Sequence, residues 1–205
     1  MDMNNEECLK SIIDKIKKLD YINSDDIPNI DLYMDQVTTF MDEHLKSTKR
    51  HSEDKLLTKT MINNYTKNNL LPSSDKKKYS KEHILLLIFI YYFKNILSIS
   101  DIQSIFNPLT EKYYGGNSEI GLEEIYKEVI GYEKEHMDTL IKDVIRKYND
   151  SRKTFSEVES KEDREFLNTF SFICMLSFDV YMKKQMIEKL IDESILDKNK
   201  QKTKD

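Results

Sequence analysis

The chain has 205 residues and a formal net charge of −5, long enough to bury a core as one domain or two small ones. Four Gly and three Pro beside abundant Leu, Ile, Lys and Glu favour an all-α protein. Cys8 and Cys174 lie far apart without a CxxC pair, so no disulfide framework is expected. The N-terminus is acidic and polar and lacks the apolar core of a secretory signal. The longest apolar run, Ile84 to Phe93, falls short of the roughly 20 residues that span a bilayer. A cytoplasmic protein without membrane association is expected.

Leu9, Ile12, Ile13, Ile16 and Leu19 recur at helical spacing and predict an amphipathic helix over roughly Glu6 to Tyr21. Ser24-Asp25-Asp26-Ile27-Pro28 breaks it. A second helix is expected to start near Asp31 as N-cap and to carry Leu32, Val37, Phe40, Met41 and Leu45. The polar, aperiodic stretch Ser47 to Lys55 reads as an exposed loop. Thr58 or Thr60 then caps a short helix ending near Asn68, and Asn69 suits the left-handed residue that closes it. Its inward residues are Leu57, Met61, Ile62 and Tyr65. Thr60, Asn63, Asn64 and Lys67 face outward, with Lys59 alongside.

Ser80 opens a helix through Leu97 that is apolar nearly all round, which predicts the most buried element. Ser98 with Asp101, or Ser100 with Gln103, caps a short helix through Phe106 that Asn107-Pro108 should terminate. Gly115, Gly116 and Gly121 mark a hinge or boundary near residues 110–121. One long or broken helix follows from Leu122 to Tyr148. After a polar stretch from Asn149 to Lys161, a last helix covers Asp163 to Ile195. Its face, rich in Phe and Met, is too broad for a lone surface helix and needs a partner helix or subunit. Cys174, within that apolar run, reads as an inert core thiol. The expected organisation is an N-terminal helix over 1–26, a domain over 27–109, a helical region over 110–196 and a disordered tail over 197–205.

Charge is uneven along the chain. Between His44 and Lys81 ten basic residues face three acids, a local net charge of +7, so the remainder carries −12. Phosphate contacts are local, so this island points to nucleic acid more than the total points away from it. The plainer reading is a solvated, lysine-rich surface. His44, His51, His83 and His136 are isolated, and no His or Cys stands at metal-ligand spacing. With no nucleophile elbow or phosphate-binding glycine loop either, neither an enzyme nor a cofactor is expected.

From Tyr65 to Ile102 the chain resembles the MerR class of transcription regulators. Their heads pair a Thr-Ile-Arg-Tyr-Tyr recognition helix with a Gly-Leu-Leu turn and a wing ending Arg-x-Tyr-Ser. Ile62 and Tyr65 match the helix, and Leu70, Leu71 and Pro72 match the turn. Lys77, Tyr79 and Ser80 match the end of the wing, and Phe89 and Ile90 fall on matching apolar positions beyond it. Asn63 and Asn64 stand where the pattern has Arg and Tyr, and Asn69 stands for the Gly. The phrases Ile30 to Gln36 and Leu57 to Tyr65 also resemble an uncharacterised family of low-GC Gram-positive bacteria that is described as MerR-like.

The resemblance implies an all-α protein with a MerR-like winged helix-turn-helix over 27–109 and a C-terminal helical region. In that class a C-terminal helix makes an antiparallel dimer coiled coil, and an appended region binds an effector. A homodimer on double-stranded DNA and an unknown small-molecule effector are therefore expected. Asn offers a donor and an acceptor in one plane, suited to adenine, so Asn63 and Asn64 are the candidate base readers. Lys59 and Lys67, with Thr60 between them, are candidate phosphate contacts, and Lys76, Lys77 and Lys78 would grip the backbone from the wing. Tyr79 either packs the wing onto the following helix or reaches a phosphate with its hydroxyl. The alternative is a helical protein-protein interaction module that retains the fold without DNA binding.

Overall fold

In the computed structural model the described residues are 5–17, 21–116 and 118–196. They are mainly helical, with seven α-helices and one two-stranded sheet. The chain divides into two compact units. One comprises residues 20–132 and 188–205, the other residues 1–19 and 133–187. The expected tail over 197–205 lies outside the described residues, as do 18–20 of the first predicted helix.

The larger unit is built around α4 (Lys81–Phe93), in which every residue from His83 to Tyr91 is buried. A helix without a polar stripe can only be stable with neighbours on all sides, as its sequence predicts. It ends at Phe93, with turns rather than helix to Leu97. Helix α2 (Met34–Leu45) buries Val37, Phe40, Met41 and Leu45 and packs on α3 (Lys59–Lys67). Asp31 is not its cap. Leu32–Tyr33 instead form strand β1, which pairs antiparallel with β2 (Lys78–Tyr79), Leu32 opposite Tyr79. The helix therefore starts two residues later, where the Tyr33 N–H donates to the Gln36 side chain at 2.8 Å.

The loop between α2 and α3 is exposed in its middle but held at both ends. After the 3₁₀ turn Lys46–Thr48, the Thr48 hydroxyl bonds the Tyr91 hydroxyl. Near its far end Lys94 Nζ donates to the Leu56 carbonyl at 2.8 Å and lies 4.9 Å from the Tyr91 ring centre.

Helix α5 (Ile99–Tyr113) starts where expected: Asp101 N–H donates to Ser98 Oγ at 3.1 Å, and Ser98 N–H donates to Asp101 at 3.2 Å. It does not stop at Asn107-Pro108. Both residues lie on the exposed face, while Ile102 and Phe106 anchor the helix in the core. The carbonyl that Pro108 leaves unpaired can be hydrated on that side, so the helix continues past it. Gly115 and Gly116, both at positive φ, make the break before α6 (Leu122–Ser151). In this unit Tyr126 of α6 donates its hydroxyl to the Ile22 carbonyl at 2.6 Å and meets Phe89 edge-on.

The smaller unit consists of α1 (Asn5–Lys17), the part of α6 from Glu133 onward, and α7 (Lys161–Leu190) up to Ile187. Among the described residues its buried set is thin: Ile141, Val144, Ser151, Asn168 and Phe172. Tyr148 meets Phe172 edge-on at 5.6 Å, and Lys147 pairs with Asp179 across the two long helices at 2.5 Å. Most of the apolar face of α7 stays exposed, including Phe166 (69 %), Phe170, Ile173, Phe178 (67 %), Tyr181 and Met186. Cys174 is a free, half-buried thiol, not a core residue. Among the described residues, no helix is long and apolar enough to cross a membrane.

Candidate nucleic-acid interface

Helix α3 is short, nine residues, so its ends matter as much as its face. Thr58 caps the start by accepting the Met61 N–H at 3.2 Å. Asn69 closes the end at φ 56°, with Leu70 N–H bonded to the Tyr65 carbonyl at 2.8 Å and Asn69 N–H to the Thr66 carbonyl at 3.1 Å. This is the Schellman arrangement, and the buried Leu70 supplies the apolar contact that accompanies it. Gln103 of α5 donates to the Asn68 carbonyl at 3.1 Å and fixes the same end from outside.

Held in this way, α3 has two clean faces. Ile62 and Tyr65 are buried, with Met61 beside them at the edge. Lys59, Thr60, Asn63, Asn64 and Lys67 are all exposed. Positions 60, 63, 64 and 67 follow helical i, i+3, i+4, i+7 spacing, so they form one continuous polar surface.

The second part is the turn Asp75–Lys78. Lys78 N–H donates to the Asp75 carbonyl at 2.8 Å, and between them Lys76 (φ 48°) and Lys77 (φ 64°) are both left-handed. Successive left-handed residues define the type I′ turn, which normally takes Asn-Gly because L side chains resist that region. Two lysines occupy it here, both exposed. Strain of this kind is more often found at functional positions than elsewhere.

Both parts meet the first turn of α2. Lys59 pairs with Asp35, and Lys78 Nζ lies 5.4 Å from the centre of the exposed Tyr33 ring. Tyr33 and Asp35 are two residues apart, so the start of α3 and the end of the turn converge on one place. Lys67, Lys76 and Lys77 have no acidic partner among the described residues. The +7 island shrinks in space, however. Lys49 pairs with Asp42 at 2.8 Å and Lys81 with Glu123 at 2.9 Å, and these acids, like Asp35, lie outside the basic stretch of sequence.

Tyr79 is 5 % exposed, with its ring edge-on to His83 at 5.4 Å. It packs the turn onto α4, and its burial withdraws it from the surface the other candidates form. His83 is the residue that sequence reasoning passed over. It is 3 % exposed, and its Nδ1 accepts the Ser80 N–H at 3.0 Å, so the proton sits on Nε2. Tyr114 brings its hydroxyl within 3.1 Å of the same ring. Burial pushes the imidazole below its ordinary value, opposed in part by hydrogen bonding to the Ser73 and Pro72 main chain and by the Asp31 charge. A Ser with His three residues on was the available signal, a capping box with an unusual acceptor.

Residues 22–129 match the model of a family described as a domain of unknown function, DUF1836. The match covers more than half of the chain, and the protein belongs to that family. It takes in α2, α3, the strained turn, α4 and α5. Neither a curated protein nor a solved structure matches the chain.

Proposed function

We propose that this protein is a non-catalytic bacterial transcription regulator that binds duplex DNA as a homodimer. In this reading α2 and α3 form a MerR-like winged helix-turn-helix, α3 lies in the major groove, and the Asp75–Lys78 turn is the wing. The observation that carries it is the strained, doubly left-handed Lys76–Lys77 turn, which shares the first turn of α2 with the polar face of α3. Asn63 and Asn64 read base edges, and Thr60 and Lys67 flank them on the backbone. Lys59 is released to a phosphate from Asp35, an exposed and therefore weak partner. Dimerisation runs through the exposed apolar face of α7, which a second copy would cover.

A helical interaction module is the second reading. It is favoured by the pairing of Lys49, Lys59 and Lys81 with acids and by the breadth of the apolar α7 surface. Mobility-shift assays on genomic fragments, including the protein's own promoter, separate the two. The regulator gives discrete shifts that Asn63→Ala with Asn64→Ala makes indiscriminate, at a cost of about 1–3 kcal/mol per lost base contact. Absence of any shift at low salt leaves the interaction module.

A further inference from the structure

We propose that the smaller unit holds a binding site for a small amphiphile with an apolar body and an anionic head. The site is a cavity of about 230 Å³. Leu9 and Ile12 of α1 and Phe172 and Leu176 of α7 make its apolar wall. An apolar cavity of roughly 150 Å³ is already enough to stay dry and take up benzene.

The head group is argued from which polar groups at the rim are already engaged. Ser151 Oγ donates to the Tyr148 carbonyl at 2.8 Å, and Thr169 Oγ1 to the Glu165 carbonyl at 2.9 Å. The Asn168 amide is oriented by the carbonyls it faces, donating to those of Thr154 at 2.7 Å and Ser151 at 3.1 Å. These groups are satisfied within the protein. Two others are not. Among the described residues the Tyr148 hydroxyl and the Arg152 guanidinium have no hydrogen-bond or ionic partner, and both line the cavity. Tyr148 is in the last turn of α6 and Arg152 follows its end, tied back by its N–H, which donates to the Tyr148 carbonyl at 3.2 Å. A hydroxyl donor and an exposed, unpaired cation lining the same apolar cavity suit a carboxylate. The DNA-contacting residues proposed above lie in the other unit, whereas the dimer face proposed on α7 adjoins the cavity at Ile173, so the test below separates a ligand from a second copy.

The test is isothermal titration calorimetry of the full-length chain with decanoate and, separately, with decanol. Saturable binding of one decanoate per chain is expected. Arg152→Ala should weaken decanoate about three- to fivefold, the modest effect of an exposed cation, and leave decanol unchanged. Thr169→Trp places a large side chain at the cavity edge and should abolish binding of both probes, with the helical circular dichroism retained. Three results overturn the proposal: no saturable binding of decanoate; equal binding by wild type and Thr169→Trp; or failure of both probes while Thr169→Trp turns a dimer into a monomer. The last would assign the cavity to a second copy of the chain.

Discussion

Lys76 and Lys77 occupy backbone conformations that cost an L-residue roughly 1–2 kcal/mol each. Asn-Gly would fit the same turn with little strain. If the lysines are there to hold phosphate, stability and binding should move in opposite directions when they are replaced. Lys76→Asn with Lys77→Gly is expected to raise unfolding stability by about 1–2 kcal/mol in a urea titration. DNA affinity should fall at the same time. A variant that gains stability and keeps its affinity would remove the turn from the interface.

His83 ties the base of that turn to α4 and Tyr114 in its neutral form. Because burial lowers its folded value, the unfolded chain takes up the proton first as pH falls. Stability is then full above the unfolded value near 6.5, declines as pH drops through it, and levels off below the lowered folded value. His83→Asn keeps an acceptor near Ser80 and should flatten this part of the profile, as read from urea midpoints between about pH 7 and pH 5. An unchanged profile would mean that His83 does not titrate in the unfolding reaction.

At the scale of elements, what local chemistry controls could be read from the sequence. The Thr58 cap, the left-handed Asn69, the Ser98–Asp101 box and the all-round apolar α4 each follow from neighbouring residues. What tertiary contact controls could not. Strands β1 and β2 are two residues each and pair across the whole α2–α3 region, too short to show alternation. That pairing moved the N-cap of α2 from Asp31 to Tyr33. Pro108 read as a stop because proline disfavours helix, but Ile102 and Phe106 hold α5 in the core while Pro108 faces water. The basic island suffered the same way. A window of sequence cannot see Asp35, Asp42 and Glu123 arriving from other elements. The candidate face of α3, with Asn63 and Asn64 at its centre, was legible, whereas the convergence of Lys59 and Lys78 on the start of α2 was not.

For the whole molecule, the smaller unit poses the sharper physical question. Five buried residues among those described are a slender core for three helices, and the large exposed side chains of α7 form a surface that water does not favour. A second copy would cover it, and two reading heads give the affinity that one small head lacks. Sedimentation equilibrium should find a dimer at micromolar concentration, and Phe166→Glu with Phe178→Glu should yield a folded monomer. A wild-type monomer at every concentration would contradict this assembly. Phosphate contact by the Lys76–Lys77 turn is read from the salt dependence of duplex DNA binding. Log affinity plotted against log salt should fall with a slope of about −5 or steeper for wild type, and Lys76→Ala with Lys77→Ala should make it shallower by about 3–4 per dimer. A slope near zero, or one unchanged by removing those lysines, would mean that the turn does not hold DNA.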